Sequence, residues 1–250
     1  MFRHKNFLAA IFIFFSQSVH ADEGKALIEK VIHKLRAHQN ISEYEMTIQR
    51  PAWTRAVRMK IWDDRQNSRV FVKLLEPAKD QGTTFLRVGY NLWNYLPKVE
   101  KVLKIPPSMM LQPWMGSDFT NDDLVKESSY IEDYDHKILG EEVLDGQAVW
   151  KIELIPHPKA AVVWGKVLYW VRKKDTIPLR EQFIDERGNL IKELIFSDIR
   201  TIGGVIIPGL WEMRNAREEG RRTVIKLLSV SFDPKPPIAD AIFTEKNMRP

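Results

Sequence analysis

The sequence predicts a mostly β protein, a meandering antiparallel sheet that curls into a barrel or half-barrel behind one N-terminal helix. Three observations predict it. From Tyr44 onward, apolar and polar residues alternate with period two. The alternating segments are short and closely spaced, which leaves little helix between them. Turn sequences punctuate them at Leu144-Asp145-Gly146-Gln147, Glu186-Arg187-Gly188-Asn189, Gly203-Gly204 and Glu219-Gly220.

The chain opens on an export leader. Arg3, His4 and Lys5 form a basic head, and Phe7 begins an apolar run to Phe15 that is too short to span a bilayer. Val19-His20-Ala21 supplies small residues where a signal peptidase cuts, so residues 1–21 are expected to leave and 22–250 to form one domain starting at Asp22. The other reading is an uncleaved anchor. Asp22 then caps a helix through Ala37, with Ala26, Leu27, Val31, Ile32 and Leu35 on its apolar face.

Strands follow. Residues 55–62 set Val57, Met59 and Ile61 on one face; 69–75 do so for Val70, Val72 and Leu74, and 83–88 for Leu86 and Val88. Segments 91–96, which include Leu92, and 99–105 are divided by a turn at Pro97-Lys98. Further strands are expected at 148–155, 166–173, 179–185, 190–199, 205–214 and 222–232. Two stretches break the meander. Residues 106–117 are rich in proline and methionine, and 118–127 read as a short helix capped by Ser117 or Asp118, with Asp122 and Asp123 in its first turn. Residues 234–237 (PKPP) read as a polyproline connector before a last small element at 238–243.

Composition excludes several functions. There is no cysteine, hence no disulfide, thiol nucleophile, thiolate metal ligand or acylated N-terminal cysteine. The net charge of +5 includes Arg3 and Lys5 of the leader, and no arginine run is interleaved with stacking aromatics, so no nucleic-acid partner is expected. A weak attraction to anionic membrane surfaces remains. Neither a nucleophile elbow, a zinc-protease helix nor a phosphate loop is present, so no catalytic residue, metal ligand or cofactor is assigned. His33 and His38, five apart, are expected on different helix faces. Asp118, Asp122 and Asp123 read either as helix caps or as a calcium or acid-base cluster.

The loop is the informative feature. Met109, Met110, Leu111, Trp114 and Met115 are too apolar for a solvated connection, and methionine packs adaptably on itself or on a flexible chain. The loop is either a fixed plug or a gate that fills an empty cavity.

Thr83-Thr84-Phe85-Leu86-Arg87, Leu92-Trp93-Asn94-Tyr95-Leu96-Pro97 and the run from Met115-Gly116-Ser117-Asp118-Phe119 to Asp122-Asp123-Leu124 arrive in order. This pattern resembles the outer-membrane lipoprotein-sorting protein family, LolA-like periplasmic carriers, over essentially the whole mature chain. The resemblance implies an unclosed antiparallel half-barrel wrapped on one side by helices, with an apolar cavity for the acyl chains of a lipid or lipoprotein. It also implies periplasmic location, transient membrane contact and exchange with an RND-type inner-membrane transporter. On that reading the strand residues above, Leu92 and the five apolar loop residues line the cavity. Two rivals stand beside it: a sensor or adaptor holding a protein partner on the same concave face, and an enzyme using Asp118, Asp122 and His136.

Overall fold

The computed structural model describes residues 16–126, 130–158, 160 and 164–249. A first meander comprises β1 (Gln39–Arg50), β2 (Trp53–Asp64), β3 (Arg69–Glu76), β4 (Thr84–Val88), β5 (Asn91–Leu96) and β6 (Lys101–Lys104). A second comprises β7 (Tyr134–Leu144), β8 (Gln147–Pro156), β9 (Lys166–Arg172), β10 (Pro178–Ile184), β11 (Leu190–Ile202), β12 (Val205–Asn215) and β13 (Arg222–Phe232). Within each meander, sequence neighbours pair antiparallel, and β1 pairs β13 to join the two into one 13-stranded sheet. β6 and β7 are its two ends and do not pair, so the curled sheet stays an unclosed barrel.

Helix α1 (Ser16–Arg36) covers the inner face of the second meander. Its buried stripe is Ile28, Val31 and Ile32, flanked by Leu27 and Leu35, and these pack on Ile152, Leu154, Val167, Tyr169 and Phe196. Ala26, expected on the apolar face, is exposed; Ile28, one turn back from Ile32, occupies that stripe instead. A Cβ on Gly24 would stand 3.1 Å from the His136 Cβ, so glycine lets the helix lie close against β7. The helix ends where Ala37 turns to φ 52 and donates to the His33 carbonyl at 2.7 Å. That turn brings the His33 and His38 rings edge to face, 5.2 Å apart; helical spacing, which would put them on different faces, stops applying beyond Arg36.

The C-terminal end of α1 is pinned to the first meander. Arg36 makes a bidentate pair with Asp63 on β2, Nε to Oδ2 at 2.6 Å and Nη2 to Oδ1 at 2.7 Å. Asn40 bridges the two, donating to the Arg36 carbonyl and to Asp63 Oδ2, each at 3.1 Å. All three are buried, a geometry in which a pair resists separation because either partner alone would be an uncompensated charge.

The first meander is covered on both faces. Outside, Ile238, Phe243 and Met248 of the C-terminal segment pack on Phe71, Leu86 and Tyr95. The expected last element is present as 3-10 turns at Asp240–Phe243 and Glu245–Met248, and Thr84 Oγ1 donates to the Met248 carbonyl at 3.0 Å. This explains why β4 is buried almost continuously and shows no clean alternation. Strand β7 departs furthest from expectation, since no strand is predicted there. Its DHKILGEEVL run is charged, and a register shift between Ile138 and Gly140 breaks its alternation.

His136 on β7 is buried beneath α1, with Nε2 2.7 Å from the Tyr130 carbonyl. Burial holds its pKa below the ordinary histidine value. Below that ordinary value the unfolded chain takes up a proton that the fold excludes, so stability falls as pH drops from about 6.5, by at most about 1.4 kcal/mol per pH unit for one group. Denaturant unfolding between neutral pH and pH 5 is expected to show this decline, and His136→Gln to flatten it. Equal slopes in the two proteins would mean that His136 takes up its proton without leaving the fold.

Candidate functional site

Between α1, the loop over residues 106–117 and the inner faces of both meanders lies a hollow of ≈ 210 Å³. The ladder register shows how the first meander builds its wall. Ser42, Ile61, Val72, Phe85, Asn94 and Leu103 stand opposite one another in a row across β1 to β6. A parallel row runs Asn40, Asp63, Val70, Arg87, Leu92. Side chains directly opposite share a face, so both rows look into the curl.

Six of the expected residues line the hollow: Met59, Ile61, Val70, Val72, Leu92 and Trp114. Val57, Leu74, Met110 and Met115 belong to the apolar cluster directly behind it. Leu86 and Val88 do not face it; they pack outward against the C-terminal segment. Their phase is fixed by pairing, because Val72 stands opposite Phe85 and Val70 opposite Arg87, which places those two residues inside. Met109 and Leu111 are exposed rather than inside.

The second meander contributes a wall that sequence reasoning did not assign. Tyr169, Phe183, Leu194, Phe196, Trp211 and Met213 line it, with Ile32 and Leu35 of α1 above. Each lies in a segment whose alternation was visible, but choosing the inward phase needs the register between strands. Polar groups enter at two places. One is the buried Arg36–Asp63–Asn40 cluster with Arg87 beside it. The other is Glu181, to which Tyr130 donates from its hydroxyl at 3.2 Å, with Asp122 and Asp123 nearby in the lining. Burial, chiefly, raises the pKa of both Tyr130 and Tyr134, so both phenols stay protonated, and Tyr130 acts as a donor to Glu181.

The loop is folded down rather than free. Trp114 is 3% exposed and packs edge to face on Phe85 at 5.4 Å. Met110 and Met115 join it on the first meander's inner face, where Leu124 also packs. The chain turns at Met115 (φ 55) and Gly116 (φ 77), and this end is clamped. Arg50 donates to the Gly116 carbonyl at 2.7 Å and to Asp118 Oδ2 at 2.9 Å. Arg221 donates to Asp118 Oδ1 at 2.8 Å, and the Thr223 hydroxyl to Asp118 Oδ2 at 2.7 Å. Asp118 is therefore not the cap but the anchor of this end of the loop. The cap of α2 (Asn121–Lys126) is Thr120, whose Oγ1 accepts from the Asp123 amide at 3.1 Å while Asp123 Oδ2 accepts from the Thr120 amide at 2.7 Å. Asp122 and Asp123 sit in the first turn as expected. The clamp was invisible in sequence because its members lie some 70 to 170 positions apart.

Asp118, Asp122 and His136 are not gathered into one site. Asp118 is held at the β1–β13 seam, Asp122 faces the hollow and His136 lies under α1 on the edge strand β7. Among the described residues no group of three or more histidine or acidic side chains is arranged to hold a metal ion, and no helix is long and apolar enough to cross a membrane.

A family model described as "Uncharacterized protein" matches residues 66–250. Among solved structures, a DUF1329 family protein from Desulfovibrio piger superposes with a TM-score of 0.83 at 25% identity, covering 92% of this chain and 99% of that one. An outer membrane lipoprotein-sorting protein domain from Vibrio parahaemolyticus gives 0.78 at 24%, over 91% and 99% of the two chains. A LolA superfamily protein from Nitrosomonas europaea gives 0.74 at 21%, over 90% and 98%. No curated protein sequence matches significantly.

The clamp yields a direct expectation. Asp118→Ala leaves Arg50 and Arg221 without their shared carboxylate, which should cost on the order of 3 kcal/mol. The loop's grip on Trp114 should loosen with it. Chemical denaturation together with tryptophan emission checks this: unchanged stability and an unshifted spectrum would mean that packing alone holds the loop.

Proposed function

We propose that this chain, which belongs to the family whose model, described as "Uncharacterized protein", matches residues 66–250, and which shares the fold of a DUF1329 protein, an outer membrane lipoprotein-sorting domain and a LolA superfamily protein, is a periplasmic carrier. It holds the acyl chains of a lipid or lipoprotein in the hollow and moves them between the envelope membranes. The leader over residues 1–21 is removed on export, and residues 22–250 form the carrier domain. The observation that carries the reading is the lining. Aliphatic and aromatic side chains from both meanders converge on one concave space, with polar groups gathered in two clusters, Arg36–Asp63–Asn40 with Arg87 and Glu181 with Asp122 and Asp123. Each methylene removed from water is worth about 0.8 kcal/mol, so a sixteen-carbon chain costs on the order of 12 kcal/mol to expose. A sheltering surface is sufficient to overcome that cost, and no catalytic group is needed. The engagement of Asp118 in the clamp and of His136 under α1 supports a binding role over a reaction. An RND-type inner-membrane transporter is the proposed exchange partner, on family resemblance.

Loading requires the loop to move. The hollow's ≈ 210 Å³ falls below the about 300–1,000 Å³ of ligand pockets. The Gly116 end is clamped, and the Met109, Met110 and Gln112 carbonyls accept from Asn121 and Asp122 at the start of α2, so on this reading α2 shifts with the loop or these bonds break as cargo enters. Met110, Met115 and Trp114 fill space that a chain would take, so ligand and loop compete.

Binding of a fluorescent fatty acid to the mature protein tests the site. Val72→Glu places an unpaired charge in the wall and should weaken binding more than tenfold. Met110→Ser with Met115→Ser should tighten it by loosening the closed loop, whereas Met109→Ser should change little. A folded Val72→Glu protein that binds normally would remove the hollow from consideration, and a Met110/Met115 variant indistinguishable from the parent would make the loop a fixed plug.

A further inference from the structure

Met109 and Leu111 stand apart from the hollow they were expected to line. They belong to a second apolar feature, at the free edge of the first meander. Val99 is 54% exposed, Leu103 46%, Met109 46% and Leu111 51%. All four lie between residues 98 and 111, where the chain leaves β5, runs back as β6 and enters the loop. Leu103 ends the inner-face row that begins at Ser42, so it marks the rim of the hollow. Ile105 donates to the Leu92 carbonyl at 2.8 Å, which holds the loop's start against β5.

The same stretch is basic. Lys98, Lys101 and Lys104 are exposed, with Glu100 the one acid between residues 98 and 111. Among the described residues none of the three lysines is in an ion pair; Lys104 instead lies over the Trp93 ring, 5.5 Å from its centroid. Lysines on an edge strand commonly serve to block edge-to-edge aggregation. That role does not account for four exposed aliphatic side chains beside them, which would work against it. The opposite free edge differs: the carboxylates of β7 and its turn are paired, Glu141 with Lys173, Glu142 with Lys151 at 3.6 Å and Asp145 with Arg180 at 3.9 Å.

We propose that the β6 edge, from Lys98 to Leu111, is a docking face for an anionic lipid bilayer, with Val99, Leu103, Met109 and Leu111 entering the interface and Lys98, Lys101 and Lys104 meeting the headgroups. Exposed aliphatic residues ringed by lysine are the chemistry that such a surface selects. The β7 edge offers no matching set of unpaired lysines, so the molecule docks in one orientation, with the rim of the hollow and the start of its loop against the membrane. The proposal rests on the carrier reading, since it supplies the contact through which a chain enters or leaves without crossing water.

Flotation of the mature protein with phosphatidylethanolamine–phosphatidylglycerol vesicles, and with phosphatidylcholine vesicles, tests it. Binding should be confined to the anionic vesicles and weaken with salt. Replacing Lys98, Lys101 and Lys104 with glutamine should cost about fivefold in affinity per lysine. Replacing Val99, Met109 and Leu111 with serine should weaken the binding that survives high salt. These side chains are exposed, and an unchanged melting curve certifies the fold of each variant. Val72→Glu should bind vesicles like the parent, and the edge variants should still bind fluorescent fatty acid, so failure of the docking face and failure of the hollow are read separately. Equal binding to both vesicle types, or edge variants that bind like the parent, would overturn the proposal. So would a protein that ignores both vesicles and forms a dimer dispersed by the edge substitutions, or one retained only by protease-sensitive membrane components.

Discussion

A thirteen-stranded sheet that curls without closing has an inner face too wide for one helix to cover, and the rest of the structure follows from that constraint. Helix α1 seals the second meander through Ile28, Val31 and Ile32. The first receives Leu124 of the short α2, too little to seal it, yet Val57, Met59, Val72, Leu74 and Phe85 leave it equally apolar. The connection between β6 and β7 must therefore double as a cover, which explains why a loop contains Met110, Trp114 and Met115. It also explains the clamp. A segment outside the sheet needs its end fixed by other means, and Arg50, Arg221 and Thr223 converge on Asp118 to do so. What lies between helix, loop and sheet is space that the chain's own side chains do not fill.

The two covers differ in how firmly they are held. α1 is tied into the first meander by the Arg36–Asp63 pair, buried and bridged by Asn40. Breaking such a pair strands a charge, so the helix behaves as part of the frame. The loop is held at its glycine end by ionic contacts and elsewhere by the packing of methionine and tryptophan and by hydrogen bonds from α2, whose Asn121 and Asp122 amides donate to the Gln112 and Met110 carbonyls. Methionine's flexible, polarizable side chain can exchange one apolar neighbour for another with little strain. A frame with one adaptable cover is what a protein needs if it is to hide apolar cargo and release it.

Strand existence was legible because antiparallel strands covered on one side alternate, and twelve residues such as those of β2 display the period openly. Phase was not legible where both faces are covered. In β4, Phe85 and Leu86 are both buried, one toward Trp114 and one toward Ile238, and only the pairing with Val70 and Val72 tells them apart. β7 escaped notice because its charged residues and its shift at Ile138 hide the alternation. Half of the hollow was missed for a related reason. Tyr169, Phe183, Phe196 and Trp211 sit in recognisable strands, but their convergence depends on a seam between β1 and β13 that joins residues nearly two hundred positions apart. The Met-rich loop was conspicuous for its composition, which could not say that Met109 and Leu111 turn outward while Met110 and Trp114 turn in.

The central claim is that the hollow holds acyl chains. The measurement that tests it most directly is mass spectrometry of the organic extract of the mature protein, purified without detergent from the envelope compartment, with the extract of an equally purified soluble periplasmic protein as control. The account predicts acyl-bearing lipid or lipoprotein recovered in a fixed, near-stoichiometric ratio to the protein and absent from the control. Protein that emerges with a bound polypeptide lacking acyl chains, or with no lipid above the control, would contradict it.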